Sequence, residues 1–248
     1  TERDILGAKE LSEETLYGIN TARALENFAL GQKKMNRELI RAIVIVKKAA
    51  AVTYLRLKTG DEEKEKAIVK ACDRLLNGEC DMEACFPLQA LQGGAGTSAN
   101  MNVNEVIANL ALLEMGIQPG DYDVIHPLDD VNRGQSTNDV YPTALRIAAI
   151  RQLRLLSDEC AKLQTALQEK ENLWQDVKKL GRTELMDAVP VTMGEEFGSY
   201  AQALARDRWR LYKVEERLRQ VNIGGTAVGL STNADRKYRF GVIEELRR

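Results

Sequence analysis

Cysteine, proline and aromatic residues are scarce in this 248-residue chain, and it has one histidine. Its four cysteines, Cys72, Cys80, Cys85 and Cys160, are irregularly spaced and form no C-x-x-C pair. That argues against a disulfide framework and a cysteine-held zinc or redox site, and fits a reducing cytoplasmic setting. His126, beside Pro127, Asp129 and Asp130, offers too few ligands for a metal and reads as a structural hydrogen-bonding residue. No run is long and apolar enough to predict a membrane span, and Thr1-Glu-Arg-Asp lacks a signal peptide's pattern. The missing initiator Met leads us to expect that a few residues precede Thr1. Lys and Arg total 35 against 37 Asp and Glu, for a net charge of -2. Neither sign forms a block suited to nucleic acid or an anionic membrane.

What remains is rich in Ala, Leu, Glu, Lys and Arg, a helix-forming vocabulary with little strand material, so the fold class is mainly α. Asn36 is placed to cap a helix with Leu39, Ile43, Val46, Ala50 and Tyr54 on one face and Gly60 as its stop. Asp61 starts a second, ended by Asn77-Gly78, and a third runs from about Ala99 to Met115 before Gly116. Pro142 suits the first turn of a helix whose pattern continues through Leu145, Leu153, Leu156 and Leu163 to about Gln168. After an interruption from Gly181 to Pro190, another periodic stretch spans about Thr192 to Val221, roughly 45 Å long. Such long helices need neighbours along their length. We therefore expect an N-terminal helical domain over 1–139, followed over 140–248 by long antiparallel helices of an incomplete bundle.

Three segments are dense in small polar residues: Gly93 to Asn100, Gly134 to Asp139 and Gly181 to Pro190. In the first, glycines allow close backbone approach while Thr97 and Ser98 bring hydroxyls to a helix start, where free N–H groups and the helix dipole favour an anion such as a carboxylate. Gln135-Ser136-Thr137-Asn138-Asp139 repeats that logic. Either loop alone is also explained by helix capping and a tight turn. The G-x-G-x-x pattern from Gly94 to Ala99 is not a dinucleotide fingerprint, because no strand precedes it and no βαβ alternation surrounds it. The basic and aromatic residues Arg206, Arg208, Trp209, Arg210, Tyr212 and Lys213 are interleaved with acids on a helical pattern, which favours a solvated or subunit-facing surface over nucleic-acid binding.

Taken in order, several motifs resemble the fumarase/aspartase superfamily. They are Tyr17-Gly18 through Thr21, Arg23 and Glu26-Asn27-Phe28; Gln92-Gly93-Gly94-Ala95-Gly96-Thr97-Ser98 with Asn100-Met101-Asn102; His126-Pro127 with Asp130-Val131-Asn132; Gln135 to Asp139; Gly181-Arg182-Thr183-Glu184 with Asp187-Ala188-Val189-Pro190; and Gly194-Glu195-Glu196-Phe197. The resemblance implies a helical subunit of three domains that assembles into a homotetramer, with each active site built from three subunits, so that the three loops meet only on assembly. It also implies cofactor-free, metal-free elimination of ammonia or water from a small dicarboxylate. Thr97, Ser136, Thr137 and Thr183 would hold the carboxylate beside the departing proton, and Asn138 would lie near the amino group. Glu184 stands where fumarases carry His and some aspartases Gln. A carboxylate there suits an ammonium group better than a leaving hydroxyl, so the resemblance is nearer to the ammonia-lyases acting on aspartate. The family's serine base, on a Gly-Ser-Ser loop, is expected beyond Arg248, which would leave this stretch inactive by itself. A fumarase and a non-catalytic helical scaffold are the alternatives.

Overall fold

Local signals start and stop the first helices where the chain is described by a computed structural model, which covers every residue from Thr1 to Arg248 except Glu13. Helix α1 spans Ile19–Asn27, α2 Arg37–Leu57 and α3 Glu62–Asn77. Asn36 caps α2 by accepting from the Glu38 and Leu39 amides, and Asp61 caps α3 through those of Glu63 and Lys64. Gly78 closes α3 in a left-handed conformation, whereas α2 closes on Lys58, two residues before the expected glycine. A short α4 (Met82–Cys85) precedes α5, Thr97–Glu114.

The chain forms two compact units, 1–148 with 221–248, and 149–220. Compactness therefore places its divisions differently from the single boundary at 139/140 read from the sequence. In the first unit α2 and α3 pack together, α5 lies against α1 and α3, and α8 (Arg236–Leu246) covers α2. The Tyr54 and Tyr238 rings stack at 4.7 Å where α2 meets α8. Helix α5 is buried nearly all round, polar residues included, and its side chains tie down neighbouring segments. Asn102 donates to the Cys85 carbonyl and Asn109 to that of Leu16. The Glu105 carboxylate accepts from the Gly18, Asn20 and Thr21 amides and the Thr21 hydroxyl, capping α1 from 84–87 residues away. A two-stranded pair, β1 (Glu2–Asp4) with β2 (Gly7–Lys9), lies at the N-terminus.

Helix α6, Thr137–Leu173, starts five residues before Pro142, so the proline lies beyond the first turn expected for it. The Asp139 and Val140 amides both reach the Ser136 carbonyl and start the helix early. Pro142 then removes only the bond to the Asn138 carbonyl. In the second unit α6 continues alongside α7, Met193–Leu218. Arg154 pairs with Glu215, Arg208 with Gln164, and Trp174 with Phe197, so partners rise on α6 as they fall on α7 and the helices are antiparallel. Thr192 and Glu195 form a capping box at the start of α7. The interruption between them is a β-hairpin, β3 (Lys178–Thr183) with β4 (Met186–Thr192), not the plain loop that little strand material implied. Its two-residue connection forces the chain to reverse, and an antiparallel ladder is what satisfies the backbone on either side. Leu155, Leu156, Leu163, Trp209 and Tyr212 are exposed on this unit. Among the described residues, no helix is long and apolar enough to cross a membrane.

Candidate active site

Two of the three polar segments come together within the first unit. The Gly93 to Asn100 segment enters α5 through Gly96, whose φ of +88° favours glycine. A Cβ on Gly96 would meet the Tyr141 ring at 2.3 Å, so the loop lies flat on α6 only because that residue has no side chain. No side chain of its own turn caps α5; Gln92 reaches over to accept from the Ala99 amide. Thr97 is exposed at this helix start, beside a pocket lined by Gly94, Gly96, Asn138 and Tyr141. Unspent N–H groups and a hydroxyl at a helix N-terminus make a surface for an anion.

At the start of α6 the Ser136 hydroxyl accepts from the Asn138 amide at 3.2 Å, and the Thr137 hydroxyl accepts from the Asn100 side chain at 3.1 Å. Each is left with a hydrogen to donate. Asn138 gives its amide to the Ala227 carbonyl at 2.8 Å, which leaves its oxygen as an acceptor. Asp139 holds this turn in place: one carboxylate oxygen accepts from the Ser136 amide, the other from those of Gly224 and Thr226. Burial raises the Asp139 carboxyl above its ordinary value, against the pull of these amides.

Thr183 and Glu184 belong to the other compact unit, at the end of the β3–β4 hairpin. Glu184 and Leu185 form its connection with φ of +52° and +63°, the left-handed pair of a type I′ turn that ordinarily takes Asn-Gly. Both side chains are exposed. Two bulky residues held at positive φ mark a strained tip.

These loops are the parts of a known fold. The sequence model of a family described as "Lyase" matches residues 7–248. The chain belongs to that lyase family. It is 45% identical to the aspartate ammonia-lyase of Corynebacterium glutamicum over 247 residues, 99% of this chain and 47% of the relative. Identity to the Escherichia coli K12 aspartate ammonia-lyase is 43%, over 96% of this chain and 50% of the relative. Among solved structures, a fumarate lyase:delta crystallin from Brucella melitensis bound to cobalt superposes with TM-score 0.95 at 46% identity, covering 99% of this chain and 53% of that one. A class II fumarase from Schistosoma mansoni gives 0.92 at 32%, with 99% and 52% covered. The lyase chain thus spans about half the length of the curated relatives it matches.

Two features around the candidate site escaped the sequence reading. The 222–233 loop is sewn to α6 through Asp139 and through the Thr143 hydroxyl, which accepts from the Asn222 and Ile223 amides. Gly224-Gly225-Thr226 carries the same small-polar signature as the other loops and was legible on that ground. His126 is a cap: its Nδ1 accepts from the Leu128 and Asp129 amides at the start of a π-helical turn, Pro127–Val131, consistent with the structural part read for it. The second is Lys47, 1% exposed on the apolar face of α2. Its ammonium donates to Asn132 Oδ1 at 2.6 Å and Gln135 Oε1 at 3.0 Å, and burial pulls its pKa down to about 7 against the opposing influence of Asp139. A lysine between Val46 and Ala50 on an apolar stripe was the available sign.

Proposed function

We propose that the full-length protein is a carbon–nitrogen lyase that eliminates ammonia from L-aspartate to give fumarate through an aci-carboxylate intermediate. The observation that carries this reading is the pair of hydroxyls on Ser136 and Thr137, each accepting a bond from the protein and each with its hydrogen free to give. Removing a proton beside a carboxylate loads that carboxylate with a second charge, and each donor preorganised for it contributes about 3 kcal/mol to the barrier reduction. Thr97, Ser136, Thr137 and Thr183 are assigned to that carboxylate. The open oxygen of Asn138 suits the substrate's amino group, and the Glu184 carboxylate suits the ammonium as it leaves. The aspartate ammonia-lyases among the relatives support the choice of substrate. No residue of this chain is assigned as the base that takes the proton.

Residues 1–139 would form the N-terminal domain and 140–248 the first part of the central bundle of a larger subunit. The uncovered Leu156, Leu163 and Trp209 on α6 and α7 support packing against further copies, which we read as a cytoplasmic homotetramer without metal, cofactor or nucleic acid. Fumarate hydration is the second reading, favoured by the fold shared with a class II fumarase. Supplying the full-length protein with aspartate and with malate, and following fumarate from each, separates them. Fumarate from aspartate is expected. Fumarate from malate alone would replace the proposal by hydration, and none from either would make the protein a scaffold.

A further inference from the structure

The direction of every hydrogen bond around Thr137 traces back to one buried amine. When charged, Lys47 can only donate, and even when neutral it has two N–H groups to give. Both of its partners turn their carboxamide oxygens toward it. Their NH2 groups consequently face away: Asn132 Nδ2 donates to the Gln135 carbonyl, and Gln135 Nε2 to those of Val131 and Arg133. Asn132 Oδ1 has a second lone pair, and Asn100 Nδ2 fills it at 3.1 Å. The same Asn100 nitrogen uses its other hydrogen on Thr137 Oγ1.

Asn100 holds this orientation at a cost. Its own Oδ1 is buried without a partner, although a flipped amide would let that oxygen accept from Thr137. A buried unpaired acceptor is disfavoured by about 1–3 kcal/mol, so the orientation must be imposed from elsewhere. A flip would also set the Asn100 oxygen against Asn132 Oδ1, two acceptors face to face, while the amine keeps Asn132 from turning. Thr137 can then only accept on its inner side, and its hydrogen points outward.

We infer that Lys47 is a positioning residue which, through Asn132 and Asn100, fixes Thr137 as a hydrogen-bond donor toward the substrate carboxylate. The inference deepens the proposed function and rests on its assignment of Thr137. Its test is a double-mutant cycle in the full-length protein, with kcat/KM for aspartate and urea midpoints measured on Thr137→Ala, Lys47→Met and the pair. Thr137→Ala should lower kcat/KM roughly 100-fold, as for loss of one oxyanion donor, and Lys47→Met at least about tenfold. The double variant should be no worse than Thr137→Ala alone, and the midpoint of Lys47→Met should equal or exceed that of the parent. A merely structural lysine would lower the midpoint and leave the two losses additive. Asn100→Asp, nearly isosteric but unable to donate, supplies an independent arm: it obliges Thr137 to turn its hydrogen inward and should match the loss in Thr137→Ala. Full additivity, undiminished activity in Lys47→Met, or undiminished activity in Asn100→Asp overturns the inference and leaves the assignment of Thr137 standing. Undiminished activity in Thr137→Ala overturns the assignment itself, and the inference with it.

Discussion

Replacing Lys47 by methionine makes stability respond to pH in a way that isolates this one amine. Burial takes the Lys47 ammonium from its ordinary 10.5 to about 7, and at about 1.4 kcal/mol per pH unit the gap amounts to about 5 kcal/mol per subunit. Between those values the unfolded chain holds a proton that the native chain has released, so stability rises with pH. The contribution is complete above 10.5 and is lost as pH falls through 7. Cys72, facing Lys47, acts in the opposite sense above its ordinary 9.0, because burial keeps its thiol protonated in the native chain. Glu65, raised to about 7 by burial, confines its own effect to the acid side. The usable window is therefore about pH 7.5 to 9, over which Lys47 should add about 2 kcal/mol. Asp139, the other charged group facing the amine, remains in both proteins, and its carboxyl loses the lowering influence of the Lys47 charge in the variant.

Urea midpoints at both pH values, for parent and Lys47→Met at equal protein concentration, provide the assay. The advantage of the variant should be largest at pH 7.5 and shrink by about 0.7 M at pH 9 for an m-value of about 3 kcal/mol/M. At pH 7.5 the amine costs about 4 kcal/mol. Removing it leaves Gln135 Oε1 without a donor, at about 1–3 kcal/mol, while Asn132 Oδ1 keeps its bond from Asn100, so the net change there favours the variant by about 1–3 kcal/mol. A midpoint difference that stays constant from pH 7.5 to 9 would refute the reasoning.

Three other outcomes follow from particular contacts. Glu105→Gln replaces an acceptor-only group taking four bonds by one with a single oxygen, and should destabilise the protein by about 3 kcal/mol with faster hydrogen exchange in α1; unchanged exchange there would contradict the cap. Gly96→Ala forces a methyl into the Tyr141 ring at positive φ and should cost about 2–4 kcal/mol with reduced turnover, read by thermal unfolding and kinetics. A stability equal to the parent's would mean that the loop does not lie on that ring. Glu184→Gln in the full-length protein should weaken aspartate turnover with little change in assembly, measured by fumarate release and sedimentation, and unaltered kinetics would remove Glu184 from the site.

The sequence by itself determined the mainly helical class, the caps at Asn36 and Asp61, the existence of the long helices and the polar segments from which the family resemblance was read. Those are local quantities: a cap acts within three residues and a helical stripe within two turns, so neither needs the rest of the chain. What only the tertiary structure decided is which distant groups share a buried polar atom. Nothing near Ile19 announces that its helix is capped by Glu105, and nothing near Thr137 announces that the direction of its hydroxyl descends from Lys47 on α2. The reversal at Glu184-Leu185 was hidden for a related reason, since neither residue favours the left-handed turn that the flanking strands impose. Burial decides in each case, because a polar group removed from water must find its partner wherever the fold brings one.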